Sequence, residues 1–294
     1  SKSLEQIFES PNQTTLEFLK ARGFSDQIID NFFRPFFSGI FLEANLETSS
    51  RMFQFVYKMF GEGLAVLPKA GIGAISEQLK AQLKNTQIKF STKIKSVEDR
   101  QIILENGDTI KTHFTIIATA AGNLVSNLAS QDLHWKSCYN LYFETTARSI
   151  KQPLIGLVAD GDALINNIFY HNVLSTEQKG DKELLSVTVV KQHELNEKQL
   201  VQKVTEELAK YCHITDAEFL KTYHIPQALP DVDQPQYDIS PTETQLKPTI
   251  YLAGDQLLNG SLNAAMMSGE RAAQGVIMSL EDGLVVEELT SEYL

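Results

Sequence analysis

Cysteine is nearly absent: Cys138 and Cys212 are the only two in 294 residues, and they lie far apart in the sequence. Such a pair makes neither a disulfide framework nor a metal-ligand spacing, and it fits a reducing compartment. Long apolar runs are missing too. No stretch approaches the roughly eighteen consecutive apolar residues of a membrane-crossing helix, and the first residues lack the form of a signal peptide. The expectation is a cytoplasmic protein with no transmembrane segment. Positive charge is in deficit, with 26 Lys and Arg against 37 Asp and Glu and a net charge of −11. Nucleic acid and anionic membranes are therefore poor general partners. The six histidines show no H-x-H, H-E-x-x-H or Cys-His spacing, which argues against a metal site, and no G-x-S-x-G elbow marks a serine hydrolase. Neither an internal repeat nor a low-complexity segment interrupts the chain.

What remains is ample for a globular protein: 43% of residues are hydrophobic, and the length suggests about two domains. Residues 4–60 read as helices, with Leu16, Phe18, Leu19, Phe24, Ile28 and Ile29 recurring near every third or fourth position. Asn12 is placed to cap the second helix, and Thr48, Ser49 and Ser50 the helix through Lys58. The cluster Phe32, Phe33, Phe36, Phe37 and Phe41 reads first as interhelical core and second as the wall of an apolar substrate cavity. Gly71 and Gly73 follow Pro68 and open a helix over Ala74–Leu83. Ile88–Val97 alternates as a half-buried strand, Asn106-Gly107 signals a hairpin, and Phe114–Ala118 is a buried strand. Strands are expected at Asn140–Thr145, Leu154–Ala159, Asn167–Asn172, Leu184–Gln192 and Phe219–Ile225, with an amphipathic helix over Glu194–Tyr211. Such an order suits a sheet covered on one face by a returning helix. The proline-rich stretch Gln227–Pro248 reads as a linker, and Glu281–Glu292 as a solvated acidic tail. Arg34 and Arg51, set in apolar helical sequence, are expected to hold a helix end or an internal carboxylate.

The most informative stretch is Thr249–Gly275, T-I-Y-L-A-G-D-Q-L-L-N-G-S-L-N-A-A-M-M-S-G-E-R-A-A-Q-G. A short buried strand, Ile250–Ala253, runs into Gly254-Asp255. A Gly-Ser turn at Gly260-Ser261 then opens a helix whose first turn carries mostly small residues. Backbone N–H groups at such a helix start lack intrahelical acceptors and sit at the positive end of the dipole. They favour an anion or an electron-rich carbonyl, and small side chains admit it closely. Asp255 accepts hydrogen bonds from hydroxyls. A ligand with a sugar-like chain and an electron-rich ring suits this set, and a flavin dinucleotide has both.

The pattern G-D-x-x-x-x-G-S-x-N-A-A-x-x-S-G-x-x-A-A resembles the C-terminal FAD-binding segment of the flavin-dependent amine oxidoreductase superfamily, in its protoporphyrinogen oxidase and phytoene desaturase branch. Phe32–Leu79, with F-F-R-P-F-F-S-G-I-F-L and G-L-A-V-L-P-K-A-G-I-G-A-I-S-E-Q-L, is similar to the same branch's mid-chain stretch. Ile88–Ala121 resembles its strand pair ending in an alanine- and threonine-rich turn. The three segments, in family order, cover about half the chain.

The resemblance implies an α/β (α+β) fold of two lobes: a helical-plus-sheet substrate lobe and an FAD-binding lobe. It assigns 1–65 and 123–240 to the substrate domain, 66–122 and 241–280 to a partial FAD-binding domain, and 281–294 to the tail. It implies that backbone at Ile94 meets the adenine, that Ala118, Thr119 and Ala120 lie beside the dinucleotide, and that Gly254 and Asp255 hold its ribityl or pyrophosphate region. It also implies that N–H groups near Asn263 and Ala264, after Gly260 and Ser261, face the N1/C2-carbonyl edge of the flavin. The family opens with a G-x-G-x-x-G unit and a ribose-binding acid. Nothing of that form occurs in this sequence, so the expectation is a truncated member that retains FAD weakly or not at all.

Amine oxidases of the superfamily carry an aromatic cage residue where Ser261 stands, and often a nearby cysteine for a covalent flavin bond. Both are missing here. The implied activity is therefore a desaturase-like or protoporphyrinogen-oxidase-like hydride transfer from an apolar small-molecule substrate to non-covalent FAD. No acid–base residue is singled out. The alternative is a truncated, non-catalytic module for hydrophobic ligands or assembly; whether it forms a homo-oligomer stays open.

Overall fold

A computed structural model describes residues 2–126, 133–175 and 181–281. The first half runs α1 (Leu4–Phe8), α2 (Thr15–Ala21), α3 (Asp26–Ile28), a π-helical turn (Ile29–Phe33), α4 (Arg34–Phe41), α5 (Ser50–Glu62), α6 (Gly73–Gln82), β1 (Ile94–Glu98), β2 (Gln101–Leu104), β3 (Thr109–Lys111) and β4 (Thr115–Ile117). The second runs β5 (Trp135–Thr145), β6 (Gly156–Leu157), β7 (Ile165–Tyr170), β8 (Glu183–Val189), α7 (Glu197–Cys212), β9 (Glu218–Pro230), β10 (Gln245–Lys247), β11 (Ile250–Leu252) and α8 (Leu262–Glu281). The mixed helix-and-sheet class agrees with the sequence expectation. No described helix is long and apolar enough to cross a membrane.

The chain divides into two compact units: Ser1–Glu9, Gln87–His134 and Pro230–Leu294 in one, Ser10–Thr86 and Trp135–Leu229 in the other. The boundaries expected from sequence fell at 65/66, 122/123 and 240/241. Residues 66–86 thus cluster with the second unit, and 1–9, 123–134 and 230–240 with the first.

In the second unit, strands in the order β6-β7-β8-β5-β9 form one sheet. Helix α7 covers one face because Leu200, Val204 and Leu208 recur every fourth residue and meet Leu141, Phe143, Val187 and Val189. Each of these is almost fully buried. Glu207 shares that inward stripe at 2% exposure, and its carboxylate accepts the N–H groups of Leu164 (2.8 Å) and Ile165 (2.9 Å) at the start of β7. The helical part packs Leu19, Phe33, Phe37, Phe41, Leu46 and Phe53 into a second core. Phe33, Phe37 and Phe41 are therefore interior residues, whereas Phe32 stacks on Phe36 at 5.5 Å and stays 40% exposed.

Local details refine the sequence reading. Thr14, not Asn12, caps α2 through a capping box with Glu17, while Asn12 accepts the Ser49 hydroxyl. Ser49 caps α5. Arg34 binds Asp30 and the Ala44 carbonyl, and Arg51 binds the Ser10 carbonyl, so both hold loop and helix ends as expected. The strand expected from Ile88 begins only at Ile94, where pairing with Leu104 starts. Ile88 and Phe90 are 41% and 73% exposed, so their alternation has no buried face to serve. The expected linker is partly regular, holding the end of β9 and all of β10.

In the first unit β1, β2 and β3 form an antiparallel meander turned at Asn106-Gly107, and β10, β11 and β4 form a second sheet. Strands β11 and β4 run parallel, Ile250 opposite Thr115 and Leu252 opposite Ile117. Both apolar runs are thus strands, as the sequence suggested, and they are neighbours in one sheet. Val97, Ile117, Ala121, Val125 and Ile250 build the core between the sheets, and α8 lies against β11 through Tyr251, Ala253 and Ala272.

Candidate functional site

Two parallel strands end side by side at Ile117 and Leu252, and the Ala253 N–H donates to the Ile117 carbonyl at 2.9 Å. Beyond that bond the chains part. After β4 come Ala118, Thr119 and Ala120, all exposed; after β11 comes the turn Gly254-Asp255. The carboxyl ends of neighbouring parallel strands are where open α/β sheets leave a crevice for ligands. The structure therefore brings Ala118–Ala120 and Gly254–Asp255 together from 134 positions apart in the sequence.

Gly254 has φ 142° and ψ 158°, in a region that side-chain-bearing residues avoid, and a Cβ there would sit 2.0 Å from the Gln256 Oε1 atom. Its N–H donates to the Ser268 hydroxyl at 2.8 Å, which donates on to the Ala265 carbonyl at 2.8 Å. Ser268, fully buried nearly two helical turns along α8, so ties the strand end to the helix. The Asp255 carbonyl accepts the N–H groups of Leu258, Asn259 and Gly260, folding the chain into a 3-10 turn that delivers Ser261 to the helix start. Partial burial pushes the Asp255 carboxyl above the usual carboxylate range, and the N–H groups of Asp255 and Gln256 pull it part of the way back.

Ser261 caps α8. Its hydroxyl donates to Asn259 Oδ1 at 2.7 Å and accepts the Ala264 N–H at 3.1 Å, and its carbonyl takes the Ala265 N–H. This narrows which N–H groups at the helix start are open. The Ala264 N–H is committed to the cap and its side chain is 2% exposed, so it is not a free donor. Of the first four N–H groups of α8, the two without an acceptor among the described residues belong to Leu262 and Asn263, both exposed. Ile94 opens β1 at 40% exposure, and no hydrogen bond or ring contact among the described residues links it to the Gly254–Asp255 turn.

Ser268 and Asn259 are the residues that sequence reading passed over as positioning groups. Asn259 is 6% exposed, and its Nδ2 donates to the Gln236 carbonyl at 2.8 Å. The available signal was polar residues standing at inward positions of an otherwise small-residue segment. Cys138 and Cys212 are both free thiols and both belong to the other unit. Burial raises both, and Cys212, with Glu207 adding to the effect, is pushed up to about 11, which leaves it protonated and unreactive. Among the described residues no cluster of His, Cys, Asp and Glu is arranged to hold a metal.

Solved structures of similar fold include proteins named as an oxidoreductase, a protoporphyrinogen oxidase and a putrescine oxidase. An oxidoreductase from Methanosarcina mazei superposes with a TM-score of 0.71 at 14% identity, over 90% of this chain and 68% of its own. A protein from Exiguobacterium sp. 255-15, provisionally named protoporphyrinogen oxidase, gives 0.67 at 17% identity over 93% and 68%. A putrescine oxidase redesigned in its cofactor binding gives 0.63 at 9% over 94% and 73%. At such identities these likenesses speak for the fold alone. Comparison with curated protein sequences returns no match. The family model for flavin-containing amine oxidoreductases matches residues 8–277, which takes in both units and nearly the whole chain. On that match the chain belongs to the flavin-containing amine oxidoreductase family.

Proposed function

We propose that this chain supplies the substrate-side and trailing cofactor-side residues of an FAD-dependent oxidoreductase that takes hydride from an apolar substrate, in the manner of a desaturase or protoporphyrinogen oxidase. The observation that carries the reading is the paired strand end: small exposed residues after β4 beside a glycine turn and a half-buried carboxylate after β11. The donor and acceptor set suits FAD. Asp255 accepts from hydroxyls of the ribityl or ribose kind, and the open N–H groups of Leu262 and Asn263 face negative charge at the positive end of a 20-residue helix. Ala118, Thr119 and Ala120 present little bulk, so a ligand can approach their backbone. When bound, the flavin supplies the hydride-accepting ring; the protein's part is to orient both partners and exclude water.

Two features favour an apolar substrate over a small amine. Ser261 stands where amine oxidases carry an aromatic cage residue, and its hydroxyl is spent on capping α8. Phe32, Phe36 and Phe60 form a partly exposed ladder of rings, 5.5 and 5.7 Å apart, that offers an apolar wall. A second reading, a non-catalytic module for hydrophobic ligands or for assembly, draws support from Leu64 and Val66, which are 90% and 81% exposed.

Fluorescence titration with FAD tests the first reading, on this chain and on a version fused to a G-x-G-x-x-G unit. Asp255→Ala removes a charged acceptor worth about 1.5–3 kcal/mol, so FAD affinity is expected to fall roughly tenfold to a hundredfold. Lys198→Gln, exposed on α7, leaves affinity unchanged. Unaltered affinity in Asp255→Ala would overturn the placement of the site, and ready turnover of simple amines by the fused protein would overturn the substrate class.

A further inference from the structure

None of the residues named for the flavin lines the cavity of about 280 Å³ found in the second unit. It lies where α4 meets the start of β7 and the residues just after β8. Pro35, Val158, Leu164, Ile165 and Val190 give it apolar walls. Two cations line it, Arg34 and Lys191. Arg34 spends Nε on Asp30 at 3.0 Å and one Nη1 proton on the Ala44 carbonyl at 3.3 Å, which leaves three of its five N–H donors. Lys191 spends two of its three on the carbonyls of Gly161 (2.6 Å) and Ala163 (2.5 Å). These bonds fix both head groups in place without exhausting them.

Of the other polar residues on the lining, Ser38 is the most telling. It is 3% exposed, and its Oγ is buried with no hydrogen-bond partner among the described residues. A buried hydroxyl without a partner is uncommon and needs an explanation. The cavity's two carboxylates do not compete for the interior. The Asp30 side chain is 57% exposed against 33% for Arg34, and Asp160 is exposed. Charge is thus layered, with cations deeper and carboxylates toward solvent.

We propose that this cavity binds a small monocarboxylate with a short apolar body, its carboxylate held by Arg34 and Lys191 and its neighbouring oxygen paired with the Ser38 hydroxyl. The outer carboxylates disfavour a dianion, and the volume leaves room for the carboxylate and a short apolar body. The site is separate in its residues from those assigned to the flavin, so it stands or falls on its own evidence.

Amide-resolved NMR titration of the full chain with butyrate, against isosteric butyramide, tests it. Butyrate is expected to give saturable shifts at Ser38, Asn166 and Lys191, with butyramide at least about tenfold weaker because it lacks the charge. Arg34→Gln should weaken butyrate about tenfold or more. Ser38→Ala removes no structural bond and keeps the fold, and it should weaken butyrate by roughly threefold to tenfold. Responses that do not saturate, an equal response to butyramide, or undiminished butyrate binding in Ser38→Ala would each overturn the assignment.

Discussion

The same substitution made twice on one helix should have opposite effects. Helix α8 contains Gly269 and Gly275. Replacing a helix-interior glycine by alanine favours the helix by about 0.5–1 kcal/mol, because the unfolded chain loses freedom and the helix gains a side chain. At Gly269 an added Cβ meets nothing within 4 Å, so that gain is kept. At Gly275 the same atom would lie 2.7 Å from the Pro241 carbonyl oxygen and 2.8 Å from Cε1 of Tyr251. Neither neighbour yields easily. The first is backbone, and the Tyr251 ring is 1% exposed, its hydroxyl bonded to Ser279 at 2.5 Å and to Gln245 at 3.0 Å. Overpacking of this kind costs about 1–3 kcal/mol. Set against the helix gain, Gly275→Ala should be destabilised by up to about 2.5 kcal/mol while Gly269→Ala is stabilised by up to about 1 kcal/mol. At about 2–4 °C per kcal/mol for a chain of this size class, thermal midpoints of the two variants should differ by roughly 4–10 °C. Circular-dichroism melts with urea titrations as a check would measure this. Two shifts of the same sign and similar size would refute the packing argument for Gly275.

Two further outcomes are expected. Glu207→Ala leaves the N–H groups of Leu164 and Ile165 unpaired where they are buried or nearly so, and should cost about 2–4 kcal/mol in urea titration, with Glu207→Gln losing less because its oxygen still accepts; equal losses for the two variants would contradict this. Asp255 has a raised folded-state pKa from burial, so the stability tied to its proton is full below the unfolded carboxylate pKa and is lost as pH rises through the folded value. Asp255→Asn should accordingly stabilise the chain more at neutral than at acidic pH even as it weakens FAD affinity, and thermal melts showing no pH dependence in that difference would count against it.

Periodicity made much of this fold legible. Leu200, Val204 and Leu208 announced α7 and the face it buries, Asn106-Gly107 announced the β2–β3 turn, and the apolar runs at 114–118 and 250–253 were short enough to be buried parallel strands. Alternation alone failed at Ile88–Lys93, because a period of two says that a strand is feasible and not that a partner strand or a core lies beneath it. Cap choice failed at Asn12 for a related reason. Thr14 won because Glu17 stands three residues on and completes the reciprocal pair, a local rule that outranks mere proximity to the helix.

The candidate site was legible in its parts and illegible in its wiring. Small residues, a carboxylate and a helix start can be read from Gly254 to Ala264, but which donors stay open depends on a bond that no spacing rule gives. Ser261 takes the Ala264 N–H, which moves the open pair back to Leu262 and Asn263. Ser268, fourteen residues after Gly254, fixes the strand end against the helix through a single hydroxyl. A turn built this way depends on a buried polar group as well as on the exposed residues at its tip. Ser268→Ala would leave the Gly254 N–H without its acceptor and loosen the turn that presents Asp255, at a cost of about 1–3 kcal/mol. Within one motif, then, the exposed residues and the buried hydroxyl have different tasks: the first line the turn, and the second holds it in place.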